Sequence, residues 1–344
     1  MDLTASLSAV PVSLPPITNN NIVHQLLNSS DITSLTRLAA ISDSNAKEVS
    51  QSLQRRIDIL AAPFFPNGTV LREILRSCDA AISGSSALHL LLPASSTTWT
   101  PNDLDLYVPH RYMKKFTARL HHFGYQPLAR NPRNHSNYSS SHILNIHKFL
   151  RGDITIDIIE SRTDASFSPI FQFHSTALMN FIGADTIFSA YPDLTMNYKS
   201  LLNPYSIYRH TYTRNKLAHL EKYRLRGFNF IPCQDSHTSR LECRSIARSI
   251  TDTGCLWVDI NTGLRTVQTP ANIFHQYGIV DLEWRLGGHI CESDCFLRPR
   301  LRVIEDKSYV LLIFCILTSS LIRSTLVPTF IHFDSYKVPH FDRI

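Results

Sequence analysis

The 344-residue chain has no basic-then-apolar leader, no Cys-x-x-Cys pair and no block of like charge. Each absence narrows the reading. Without a leader, the opening Met1-Asp2 and the Ser-rich stretch after it imply a cytoplasmic or nuclear protein. Seven cysteines, scattered from Cys78 to Cys315, are an odd number in a long chain and imply a reducing compartment with no disulfide framework. The net charge of +6 comes from scattered Lys and Arg, which permits a polyanionic ligand without requiring one. No RRM, KH or zinc-finger pattern is present. What the chain does have is 43% hydrophobic and 18% charged residues, enough for a sizeable core spread over two or three domains.

The most informative residues lie between positions 82 and 159. Ile82-Ser83-Gly84-Ser85-Ser86-Ala87-Leu88 reads as a strand end, a Gly-Ser turn and the start of an apolar helix. Asn102-Asp103-Leu104-Asp105-Leu106-Tyr107-Val108 follows. On a strand, alternate residues share a face, so Asp103, Asp105 and Tyr107 point one way and Leu104, Leu106 and Val108 the other. Neighbouring carboxylates repel unless a cation lies between them, and hard divalent ions take oxygen ligands of this kind. A second apolar strand, Asp153-Ile154-Thr155-Ile156-Asp157-Ile158-Ile159, offers a third carboxylate. Asp157 is preferred over Asp153 because it is embedded in the apolar run, whereas Asp153 follows Arg151-Gly152 in an expected hairpin turn.

This pattern resembles the nucleotidyltransferase superfamily, the group with the DNA polymerase beta-type palm. Gly84 and Ser85 match its Gly-Ser turn, Asp103 and Asp105 its Asp-x-Asp pair, and Asp157 its later carboxylate. The resemblance covers roughly residues 70–160 and extends weakly toward 230. It implies Mg²⁺ or Mn²⁺ held by the three aspartates, an NTP whose phosphates meet the Gly84-Ser85 turn, and transfer of an NMP group to a hydroxyl. It also implies that Asp103 and Asp105 bridge the ions while Asp157 serves the nucleophile. The chain departs from the family in the long spacer before Asp103, where 93–101 reads as an inserted loop.

The expected fold is α+β: a mixed nucleotidyltransferase-type palm sheet with packed helices, flanked by an N-terminal helical segment and a poorly defined C-terminal region. The expected divisions are a flexible 1–20, a helical 21–62, the nucleotidyltransferase-like 63–232, a Cys-containing 233–308 and an apolar tail 309–344. Leu14-Pro15-Pro16, Asp31 and the Leu-rich 35–42 give the helical segment a weak F-box-like look, which implies docking of a Skp1-type adaptor. A plain helical hairpin packed on the catalytic domain is the competing reading, and an inert palm serving as an adaptor is the alternative function.

Residues 172–230 are expected to be largely helical. The basic and aromatic run 222–230 suits phosphates and bases of nucleic acid, or else a solvated helix end with core anchors. His289, Cys291 and Cys295, with Cys233, Cys243 or Cys255 as a fourth ligand, form a weak zinc candidate beside the simpler reading of buried thiols. The apolar run 309–322 is open between a membrane contact that tethers the chain, a buried strand or helix, and a mistranslated end of the gene.

Overall fold

The structure is a computed structural model and describes residues 20–128, 142–203, 214–231, 246–277, 279, 281–286 and 310–313. Four helices come first: α1 (Asn20–Ser29), α2 (Ile32–Ala39), α3 (Asp43–Ala61) and α4 (Gly68–Ser77). Their starts are written locally. Asp31 accepts a hydrogen bond from Ser34 N (2.7 Å), Ser42 from Asn45 N (3.2 Å) and Asn67 from Val70 N (2.9 Å), each satisfying a helix-end donor. The cap of α4 is therefore Asn67.

Strand β1 (Ala81–Ser83) turns at once into helix α5 (Gly84–Leu91), and β2 (Leu104–Pro109) leads to α6 (Met113–His122). A short β3 (Gln126–Pro127) precedes the hairpin of β4 (Ile143–Arg151) and β5 (Ile154–Ser161). That hairpin turns at Gly152, whose φ of +59° is a left-handed conformation that glycine adopts freely. Next come β6 (Asn180–Ile182), β7 (Thr186–Ser189), α7 (Pro192–Met196), β8 (Lys199–Ser200) and α8 (Arg214–Leu225). The remaining elements are β9 (Asn229–Phe230), β10 (Arg248–Ser249), β11 (Leu256–Asp259), β12 (Arg265–Thr266), α9 (Pro270–Tyr277), β13 (Asp281–Trp284) and β14 (Val310–Ile313).

The protein is thus mixed α+β. Nine strands form one sheet in the order β12-β11-β7-β6-β1-β2-β5-β4-β3. The β2–β5 pair is parallel and the others in this sheet are antiparallel. The period of two divides each central strand between two cores. Ile82, Leu104, Leu106, Ile156, Ile158, Ile182, Ile187 and Val258 face a core shared with Leu35, Leu53, Ile57, Leu71 and Phe116 of the helices. Ala81, Tyr107, Ile159, Phe181, Phe188 and Trp257 face a second core rich in aromatic rings. There Phe181 stacks on Phe167 and on Phe188, with centroids 4.7 Å apart in each pair.

The N-terminal helices are built into the first core. Leu27, Ile32, Leu35, Val49, Leu53 and Ile57 are all buried in it, while Ile22, Leu26, Ile41 and Ile59 stay exposed. Arg56 of α3 adds a polar tie. Its Nη1 donates to Leu90 O (3.1 Å) and Leu92 O (3.2 Å), and its Nη2 to Leu27 O and Ser30 O (both 2.8 Å). One buried guanidinium therefore joins the α1–α2 turn to the end of α5.

One expectation is corrected. Residues 172–203 are not largely helical: they supply β6 and β7, which continue the central sheet from β1, and β8. The large apolar side chains there alternate between the two cores and do not form a single stripe. Beyond residue 233, β11 pairs with β7 along four register positions, from Leu256↔Ser189 to Asp259↔Thr186. Val310–Ile313 of the apolar run form β14, paired with β13. The other residues of that run, and residues 1–19, lie outside those described. Among the described residues, no helix is long and apolar enough to cross a membrane.

Candidate metal centre

Three adjacent strands put the candidate site in a row. Ser83 of β1 is paired with Asp105 of β2, and Asp105 with Asp157 of β5. Asp103 lies just before β2, where Ser86 Oγ of α5 donates to its carbonyl at 3.0 Å. Ser83 Oγ donates to Asn180 O at 2.6 Å and so fastens β1 to β6 directly behind the turn. One carboxylate oxygen from each of Asp103, Asp105 and Asp157 lies within 4.8 Å of the others. No other group of three His, Cys, Asp or Glu ligands meets that spacing among the described residues. Asp153 sits exposed in the hairpin turn and takes no part.

Gly84 is required by this geometry for two reasons. Its φ is +66°, and a Cβ added there would overlap Asp105 Oδ2 outright and stand 3.0 Å from Asp105 Cγ. The absent side chain is what lets the Asp105 carboxylate lie against the backbone at the start of α5. Ser85, next in the chain, is 2% exposed, and its Oγ has no hydrogen-bond partner among the described residues.

Electrostatics make the cluster uncomfortable without a cation. Burial, then repulsion from Asp103 and Asp157, pushes the Asp105 carboxyl up to about 7, against weaker opposing pulls from Lys222 and Lys148. Burial also raises Asp157, which Lys148 partly offsets. Lys148 is in register with Asp157 across the β4–β5 hairpin, and its Nζ stands 3.4 Å from Asp157 Oδ1. All-oxygen donors, crowded negative charge and low solvent access together form a set able to hold a hard metal ion.

The end of α8 flanks the cluster. Lys222 acts on Asp105, and the Arg226 guanidinium acts on Asp103. Arg226 lies over the Trp99 ring at 3.9 Å and over Tyr223 at 5.2 Å. Trp99 comes from the inserted loop and also meets His89 of α5 edge-on at 5.1 Å. The insertion is therefore packed into the site region and is more than a surface excursion. Sequence reasoning passed over Lys148 and Trp99. The two-residue turn at 152–153 contained the signal for Lys148, because it sets 148 opposite 157.

Cys255, one candidate zinc ligand, is a buried thiol whose Sγ lies 3.5 Å from Arg248 Nη2 and 3.4 Å from Ser249 O. Burial pushes its thiol well above the usual range, which suits an inert core cysteine. His289, Cys291, Cys295, Cys233 and Cys243 lie outside the described residues. No protein-family model, curated protein or solved structure matches the chain.

Proposed function

We propose that this chain is a metal-dependent nucleotidyltransferase with a DNA polymerase beta-type palm, moving an NMP group from an NTP to a hydroxyl acceptor. The observation that supports it most is the meeting of Asp103, Asp105 and Asp157 beside a glycine whose missing Cβ admits one of their carboxylates. Mg²⁺ or Mn²⁺ fits the donors, because a cation would relieve the repulsion that raises Asp105 to about 7. Asp103 and Asp105 would hold the ions, with Asp157 on the nucleophile side; when bound, the metal would stabilise the charge on the attacking and leaving oxygens of an in-line displacement.

The chain's own groups do the rest. Backbone N–H groups at the start of α5 and the unpartnered Ser85 hydroxyl meet the phosphates. Lys222 and Arg226 balance phosphate charge from the side of α8. The acceptor oxygen bonds to the α-phosphorus while Asp157 takes its proton. The bond to the bridging oxygen breaks, and pyrophosphate leaves.

Isothermal titration of the purified protein with Mg²⁺ or Mn²⁺ and each NTP tests the reading. The wild-type chain is expected to bind metal–NTP, and Asp103→Asn with Asp105→Asn to weaken that binding at least about 100-fold while remaining folded, since one carboxylate of three is left. A double variant that binds like the wild type overturns the reading. An inert adaptor would show no metal-dependent NTP binding in either form.

A further inference from the structure

Asp157 Oδ1 is closed to solvent and accepts no hydrogen bond of good geometry, yet it faces the Lys148 ammonium at 3.4 Å. The two side chains are unequal. That of Lys148 is 46% exposed and that of Asp157 22%, so the lysine can swing into solvent while the carboxylate stays. The strand register fixes the base of Lys148 opposite Asp157, on the strand next to it and outside the Asp103–Asp105 pair. Lys148 lowers both Asp105 and Asp157, so its charge is felt across the cluster. The other cations acting on the carboxylates, Lys222 and Arg226, approach from α8 toward Asp105 and Asp103.

We propose that Lys148 is a tethered cation that occupies the place of the ion on the Asp157 side and must be displaced before that ion enters. This rests on the metal-centre reading above and adds an order to it. Among the described residues no lysine stands at ion-pair distance from Asp103 or Asp105, Lys222 acting on Asp105 from farther off, so a first ion there displaces no ion pair. A second ion at Asp157 has to compete with a positive charge fixed to the neighbouring strand. Lys148 is then a positioning residue: it keeps the third carboxylate compensated while the site is empty and makes the two ion affinities unequal. An exposed lysine holds its partner only modestly, which is what a displaceable group requires.

The test is titration of the full chain with Mn²⁺ alone, in the wild type, Lys148→Met and Lys148→Arg, each with and without Asp157→Asn. Calorimetry and the electron paramagnetic resonance signal of free Mn²⁺ both count the ions. Lys148→Met is expected to tighten the weaker ion about tenfold, Lys148→Arg to leave it close to wild type, and Asp157→Asn to abolish the gain. Weaker-ion affinity that is unchanged or lower in Lys148→Met, with binding still dependent on the aspartates, overturns the role of Lys148 and leaves the metal-centre reading standing. Absence of aspartate-dependent Mn²⁺ binding in both wild type and Lys148→Met overturns both.

Discussion

At the scale of single residues, Gly84 carries the most constraint. Alanine there would need a left-handed φ of +66° and would drive its Cβ into Asp105 Oδ2. Backbone strain of this kind costs on the order of 1–3 kcal/mol. The larger effect falls on the site, because the neighbour that must move is a candidate ligand. Gly84→Ala is expected to lower the melting temperature by several degrees and weaken Mn²⁺ binding about tenfold or more. Thermal melts and calorimetry on the same sample check both, and a variant that melts lower but binds Mn²⁺ unchanged would detach Gly84 from the site. The aspartates and this glycine were legible because each sits in a short apolar frame that leaves one chemical role open. Lys148 and Trp99 were not, since one needs a strand register and the other a loop's path through space.

Among elements, α3 stands out, because it joins the α1–α2 turn to the end of α5 through Arg56. Burial lowers the Arg56 guanidinium to about 10, yet its four hydrogen bonds to backbone carbonyls hold it in place. Arg56→Met keeps much of the packing volume and strips all four carbonyls of a donor. The expected loss is roughly 2–5 kcal/mol, given about 1–3 kcal/mol for each buried group left without a partner and some relief from water. Urea unfolding measures it, and a loss below about 1 kcal/mol would show that water replaces the guanidinium freely. The elements from α3 to β5 followed from capping residues, Gly turns and period-two runs. Strands β6, β7 and β11 did not, being three to four residues long and defined mainly by pairing across the chain. A stretch such as Asn180-Phe181-Ile182 is too short to reveal a period.

For the whole molecule, opposing titrations set the pH range of stability. Burial alone would raise Glu160, but hydrogen bonds from His147 (3.0 Å), His110 (2.5 Å) and Asn145 (2.6 Å) outweigh it and bring the carboxyl down to about 2. Asp185 is likewise brought down to about 2, with bonds from Arg76, Asn261 and Arg72 overcoming its burial. These depressed groups lend stability that is present above their unfolded values and lost as pH falls from about 4.5 toward 2. Asp105 has the opposite sign: its stability is present below its unfolded value and lost as pH rises through about 7. Mn²⁺ should therefore raise the melting temperature more at pH 7 and above, where it meets the ionised cluster, than at pH 5, where Asp105 holds a proton. Melts from pH 3 to 9 with and without Mn²⁺ decide it, and an Mn²⁺ stabilisation as large at pH 5 as at pH 8 would contradict the raised Asp105 carboxyl.

The strand order has a consequence for how the protein is made. The three strands that carry the aspartates and the Gly84 turn are all synthesised by Ser161, whereas β11, which covers the edge of β7, begins only at Leu256. On the ribosome, a chain that has reached Ser189 presents the bare edge of β7, with Phe188 on it, until β11 is made. Unpaired edges of this kind recruit other chains. Nascent protein therefore spends the interval between Ser189 and Leu256 as its most vulnerable period, and chaperones would have most to protect along that stretch of synthesis.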